Sequence, residues 1–218
     1  MSLIAFTSDA SIDFTPTDFD APLSPAQRDY LKKETGLDIP QVFWRKQIHG
    51  DGILIAPISG CADADAYITN QRNFPIAIRT ADCVPVFIYD PVKQAIGLAH
   101  AGWKGTQKEI AAKTVKQMQD KFKSQCYDLK VTLGPCIRAC CYQVGPEFKT
   151  YFPDEVSQRN GHLYVDVAAA NRRQLLAVGV RPENITDSGT CTCCNKNYFS
   201  FRRDGEKSGR MISLMMLI

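Results

Sequence analysis

Histidine is scarce in this chain: three among 218 residues, too few for any site that calls on many imidazoles. A lysine-arginine block is also missing. The 26 basic and 23 acidic residues are spread along the sequence for a net charge of +3, so nucleic-acid binding has no electrostatic footprint. No apolar run approaches the length of a membrane span. The opening Met1-Ser2-Leu3-Ile4 has neither a charged region leading into a long apolar segment nor a small-residue cleavage site, and a cytoplasmic protein without membrane contact is expected. No Pro-, Gly- or Ser-rich linker, repeat or low-complexity segment interrupts the chain. Residues 1–218 are therefore read as a single domain, and 44% apolar residues suffice for a full core.

What is abundant is cysteine. The nine are Cys61, Cys83, Cys126, Cys136, Cys140, Cys141, Cys191, Cys193 and Cys194. Their odd number, their adjacency and the lack of an export signal favour reduced thiols over a disulfide framework. The two clusters, Cys136/Cys140/Cys141 and Cys191/Cys193/Cys194, are read as neighbouring or buried thiols in preference to a second metal site, because adjacent cysteines rarely ligate one ion well.

Along the chain, Leu3 to Phe6 reads as a strand. Ser24, Pro25 and Gln27 open a helix with a capping box that Gly36 stops. Val42–Trp44, Ile53–Ala56, Ala64–Thr69, Ile76–Ile78 and Val84–Ile88 are apolar runs of strand length. Thr106 and Glu109 match a second capping box, followed by Ala111, Val115, Met118 and Phe122 on one helical face. Strands at Leu129–Leu133 and His162–Val165, a helix capped by Asp166, and strands at Ile185–Asp187, Asn197–Phe201 and Met211–Ile218 complete the pattern. Strand clusters with isolated helices predict an α+β fold with a mixed sheet and flanking helices.

The stretch Arg79 to Gly105 carries the chemistry. Val84–Tyr89 and Ala95–Ala99 can pair across the turn Asp90–Gln94, which returns His100 to the neighbourhood of Cys83. With His49 upstream, these side chains make a His/Cys/His set suited to a catalytic zinc ion with an open fourth position. Zinc would lower the pKa of a bound water to about 7. The spacings are too long for a self-contained motif, and any one of these histidines, taken alone, is more often a core or surface residue. Asp82 beside Cys83, and the pair Asp63/Asp65, are candidates for a general base or for orienting a ligand histidine, against the plainer reading of local turn caps. Trp103 reads as a packing anchor.

In order, QIHG, ADAYIT, TADCVPV, GLAHAGWKG, LGPCI with CCYQVG, and SFRRDG with a final GR resemble the YfiH/laccase-domain family, also described as multicopper polyphenol oxidase-like or as purine nucleoside phosphorylases. The resemblance spans about Lys46 to Arg210. It implies a mixed α/β fold shared with cytotoxic necrotizing factor-type hydrolases and a zinc site at His49, Cys83 and His100. It also implies phosphorolysis of adenosine, inosine and methylthioadenosine together with hydrolytic deamination of adenosine, the latter by hydroxide attack at C6 of the purine. Cys83, Asp82 and Arg79 are the expected catalytic residues. For phosphate, Arg79, Arg202 and Arg203 are the expected anion donors, because guanidinium forks match phosphate oxygens. Where family members often carry an Arg-Gly-Gly turn after the first strand, this chain reads Thr7-Ser8-Asp9-Ala10-Ser11.

Three rival readings stand beside this one. The same ligand set suits copper, so a copper-loaded polyphenol oxidase activity is an alternative, although a four-copper oxidase would need more imidazoles than exist here. Cys83 could instead act as a nucleophile with His100 or His49 as base, in a hydrolase or an amidase acting on a peptidoglycan precursor. Alternatively the ion is structural and the domain only binds. A small-molecule substrate and a monomer are expected.

Overall fold

A computed structural model describes residues 2–15, 18, 20–57 and 63–218; Cys61 lies outside them. The hairpin expected between Cys83 and His100 is its central element. In chain order, the strands and helices are β1 (Leu3–Thr7), α1 (Pro25–Thr35), β2 (Ile53–Ile55), β3 (Ala66–Thr69), β4 (Ile76–Thr80), β5 (Val84–Asp90), β6 (Ala95–Ala101), α2 (Trp103–Gln107) and α3 (Ile110–Phe122). They continue with β7 (Lys130–Leu133), β8 (Gln143–Val144), α4 (Phe148–Tyr151), β9 (Val156–Arg159), β10 (His162–Val165), α5 (Val167–Ala177), β11 (Ile185–Asp187), α6 (Phe201–Asp204) and β12 (Met211–Leu217).

β5 and β6 pair antiparallel from Val84 opposite Ala101 to Asp90 opposite Ala95, which sets His100 across from Pro85. They form the middle of a six-stranded mixed sheet in the order β11-β7-β5-β6-β3-β2. β11 runs parallel to β7 and β2 parallel to β3, while the inner pairs are antiparallel. A second sheet, β1-β12-β4, is antiparallel, and β8-β10-β9 forms a small third one.

The core divides by layer. One face of the six-stranded sheet buries Val86, Ile88 and Ala99 under α3 and α5, which contribute Ala111, Val115, Met118 and Leu175. Its other face meets the second sheet through Tyr67, Ile78, Leu98 and Met215. Leu31 of α1, with Phe14 and Trp44, covers the outer face of the second sheet at Ile212 and Leu214. Helices, sheet, sheet and helix therefore stack as four layers. Strands buried on both sides explain why β5 and β6 read as near-continuous apolar runs rather than alternating ones.

Some elements depart from expectation. Ser24 does cap α1: its hydroxyl accepts from Gln27 N–H, Gln27 returns the bond, and Gly36 closes the helix in the left-handed region at φ 75°. Thr106 is not a cap. The helix begins one turn earlier at Trp103 and breaks at Glu109, which sits at φ 61° before α3 restarts. The Thr106 hydroxyl faces inward and accepts from the Asn171 side chain at 2.9 Å, so the polar group serves helix–helix packing. Val42–Trp44 adds only a single bridge, Phe43 to Ile76, and Asn197–Phe201 is a loop entering α6 rather than a strand. Both segments have strand-like composition but no partner edge beside them over their length.

Candidate metal centre and active site

The three expected ligands converge. Their ligand atoms all lie within 4.8 Å of one another, and the two imidazole rings cross at 72° with centroids 4.8 Å apart. Each side chain is delivered by a different constraint. His100 is placed by β6. Cys83 follows a tight turn out of β4 in which Asp82 takes φ 91°, and His49 itself sits at φ 58°. Non-glycine residues rarely adopt such angles unless surrounding contacts impose them.

For His49 the imposing contact is Asp65. Its buried carboxylate accepts backbone N–H groups from Ile48 (3.1 Å), His49 (3.0 Å) and Gly50 (2.8 Å), and it meets His100 Nδ1 at 2.8 Å. One carboxylate thus fixes the loop that presents His49 and orients the ring of His100. An Nδ1–H donated to Asp65 leaves Nε2 of His100 available to a metal, as where a carboxylate stands behind a metal-binding imidazole. Of the sequence pair, Asp65 is the partner, while Asp63 is exposed. Gly102 supplies the room: a Cβ there would lie 2.9 Å from Cys83 Sγ and 3.1 Å from His49 Cδ2.

The electrostatics of the metal-free protein agree with a ligand set. Burial pushes the Cys83 thiol up, yet the adjacent His100 and His49 bring it down to about 6. Burial pushes His100 down, and Cys83 with Asp65 raises it to about 9. A thiolate beside a protonated imidazole is the apo form of a site whose protons a cation replaces. Two imidazoles and one thiolate, with a carboxylate behind them and open space in front, suit a borderline-soft divalent ion.

That open space is a cavity of about 470 Å³, within the size range of small-molecule sites. His49, Cys83 and His100 reach its surface, as do Asp82, Arg79 and Arg202 from the expected set. Arg203 does not. Its guanidinium is engaged by the Thr192, Cys193 and Tyr198 carbonyls and the Asp204 carboxylate, so it braces the loop before α6. Asp82 is also a brace: its carboxylate accepts from Thr192 Oγ1 at 2.6 Å and from Arg202 N–H at 2.7 Å. The Thr7–Ser11 turn does not border the cavity.

The cavity wall contains residues that sequence reasoning did not single out: Gln47, Tyr142, Phe201 and Arg210. Gln47 pairs through its amide with both backbone groups of Arg79 at 2.8 Å, tying the His49 loop to β4. The Arg202 guanidinium lies 5.0 Å over the Tyr142 ring and donates to Gln143 O at 2.8 Å. Burial, with Arg210 adding to it, lowers Arg79 to about 10, which leaves it a cation at neutral pH. Trp103 packs as expected, stacked on Tyr151 at 5.8 Å, and also shows an edge to the cavity. Only the final GR in the resembling motifs carried a signal for Arg210.

The profile of the family described as multi-copper polyphenol oxidoreductase laccase matches residues 17–218. The purine nucleoside phosphorylase of Aquifex aeolicus is 35% identical over 189 residues, covering 86% of this chain and 87% of that one. The purine nucleoside phosphorylase of Deinococcus radiodurans is 35% identical over 176 residues, covering 78% and 68%. Among solved structures, the hypothetical protein YfiH of Bacillus licheniformis aligns with a TM-score of 0.86 at 26% identity, over 99% of this chain and 93% of that one. YlmD of Geobacillus stearothermophilus gives 0.85 at 26%, over 99% and 92%. Motifs, fold and the family match over residues 17–218 agree, and the chain belongs to the YfiH/laccase-domain family.

Proposed function

We propose that this protein is a zinc-dependent purine nucleoside phosphorylase acting on adenosine, inosine and methylthioadenosine, with hydrolytic adenosine deaminase activity at the same site. The observation that carries this reading is a three-ligand cluster, His49, Cys83 and His100, opening onto a cavity bordered by Arg79, Arg202 and Arg210. The names of the similar proteins supply the substrate class. Residues 1–218 would act as one catalytic domain on a small-molecule substrate, in the cytoplasm. No described helix is long and apolar enough to cross a membrane.

His49, Cys83 and His100 would hold the ion, which when bound supplies Lewis acidity and an acidified water. The chain's own residues do the rest. In phosphorolysis a phosphate oxygen bonds to C1′ of the pentose as the bond from C1′ to the purine nitrogen breaks. The electron pair leaves with the base, which takes up a proton, giving free purine and pentose 1-phosphate. Arg79, Arg202 and Arg210 contribute positive charge on the wall where the anionic reactant must be held. Burial raises the Tyr142 phenol, so it stays protonated and serves as a hydrogen-bond donor. In deamination, water oxygen bonds to C6 and the amino group departs as ammonia. Asp82 keeps Arg202 on the wall by holding its backbone N–H and acts as a positioning residue.

Product chromatography tests the proposal. Free base and pentose 1-phosphate should form only with phosphate present, and inosine should form from adenosine in its absence. Nucleosides left unchanged by the zinc-loaded protein would overturn it, and turnover that survives chelation would instead favour Cys83 as a nucleophile. A coloured, copper-containing form as the sole active species would favour the oxidase.

A further inference from the structure

Outside the cavity floor, one other cluster of ligand-type side chains forms among the described residues. The Sγ atoms of Cys140, Cys141, Cys191 and Cys194 all lie within 4.8 Å of one another. We propose that these four thiols bind a second, structural zinc ion that staples the segment carrying the cavity residue Tyr142 to the loop that leads into Phe201 and Arg202. This inference is independent of the reading of the His49 site.

The distances select the ligand. Cys140 and Cys194 are 3.6 Å apart and Cys141 and Cys194 3.2 Å apart. A disulfide requires roughly 2.05 Å, whereas sulfurs about 2.3 Å from a tetrahedral ion lie roughly 3.8 Å from each other. Four sulfurs so close together surround a single ion. Four thiolates suit a soft or borderline cation and leave no open position, which makes the site structural.

The local backbone is built for thiolates. Cys191-Thr192-Cys193-Cys194 closes as a turn, with Asn195 N–H donating to Cys191 O at 3.0 Å. On the opposing segment, residues 139–141 form a turn in which Cys141 and Tyr142 both donate to Arg138 O at 2.9 Å. That turn is why adjacent cysteines reach one ion: in a strand they would point to opposite faces. Cys136 is fully buried and belongs to the apolar core, and Cys193 stays out of the cluster. The sequence reading of neighbouring or buried thiols would thereby be revised for four of them. Four sulfurs held this close crowd one another. A cation displacing up to four protons to solvent would relieve that crowding.

The location gives the ion its role. Cys141 precedes Tyr142 and Gln143, which meet Arg202. Thr192, inside the other turn, holds Asp82 through its hydroxyl, and Arg203 grips Thr192 O at 2.9 Å and Cys193 O at 3.3 Å. The ion would lock the Tyr142 wall to the turn that supports Asp82 and Arg203.

The full-length chain, grown with zinc and purified under reductant, should carry two zinc ions by elemental analysis and native mass spectrometry. Cys191→Ser/Cys194→Ser should lose one ion and melt several degrees lower. His49→Ala/His100→Ala, which leaves the thiol cluster intact, should keep one. Loaded with cobalt in place of zinc, that second variant should show the intense thiolate charge-transfer absorption of a four-sulfur site. The proposal is overturned if the His49/His100 variant holds no zinc, or if the cysteine variant holds as much as the parent. It is equally overturned if the purified parent has lost two hydrogens to a disulfide among these cysteines. If the cysteine variant fails to fold, the zinc count and cobalt spectrum of the His49/His100 variant decide alone.

Discussion

At the residue scale the most demanding positions are those where a side chain must be absent or must hold others. Gly102→Ala puts a methyl within 2.9 Å of Cys83 Sγ, and its neighbours are the candidate ligands, which cannot shift without leaving the cluster. Zinc affinity at the His49 site should fall at least tenfold while the melting temperature changes little, as measured by competition with a chromophoric chelator. Asp65→Asn removes the carboxylate behind His100 and one acceptor for the His49 loop; an affinity loss of about 10- to 100-fold is expected for such partners. Asp65 also sets an acid limit. Burial alone would raise its carboxyl, but His100 and the loop N–H groups hold it below the ordinary 3.8. Its folded value lies under its unfolded one, so its stabilisation is complete above 3.8 and fades as pH falls through the lower value. Asp65→Asn should flatten the acid-denaturation curve below about pH 4. His49, Cys83 and His100 were legible because their residue types announce metal chemistry. Asp65 was legible only as one of two carboxylates, since its partners lie in a loop many residues away.

Among the elements, the β5–β6 hairpin was readable from sequence because two apolar runs flank a polar turn and nothing else competes for them. The break between α2 and α3 was not. Glu109 at φ 61° carries no glycine or proline signal, and the Thr106 hydroxyl looks like a cap until Asn171 of α5 is known to reach it. Packing between helices overrode the local signature. Ser24→Ala tests the cap that did hold: losing it should cost about 1 kcal/mol in chemical denaturation. Thr192→Val tests the brace between the loop before α6 and the turn that joins β4 to β5. Removing the hydroxyl leaves Asp82, which holds the Arg202 N–H, one partner short, and the KM for phosphate should rise several-fold with a smaller change in kcat.

For the whole molecule, the cavity exists because four layers bring Gln47, Arg79, Tyr142 and Arg210 to one place from positions far apart in the chain. No local pattern announces such a wall, which is why Arg203 was expected there and Arg210 was not: the two look alike in sequence and differ only in what surrounds them. Arg210→Ala and Arg202→Ala should each raise the KM for phosphate by about tenfold or more. Arg203→Ala should act mainly on stability, because its bonds run to carbonyls of its own loop and to Asp204.

The account rests on an ion at His49, Cys83 and His100 carrying the chemistry. Its most direct test is the initial rate of adenosine phosphorolysis before chelation, after it, and after zinc is returned, in the parent chain and in Cys83→Ala. The rate should vanish on chelation, return with zinc in the parent, and stay absent in the variant; phosphorolysis that persists in metal-free protein, or in Cys83→Ala, would contradict it.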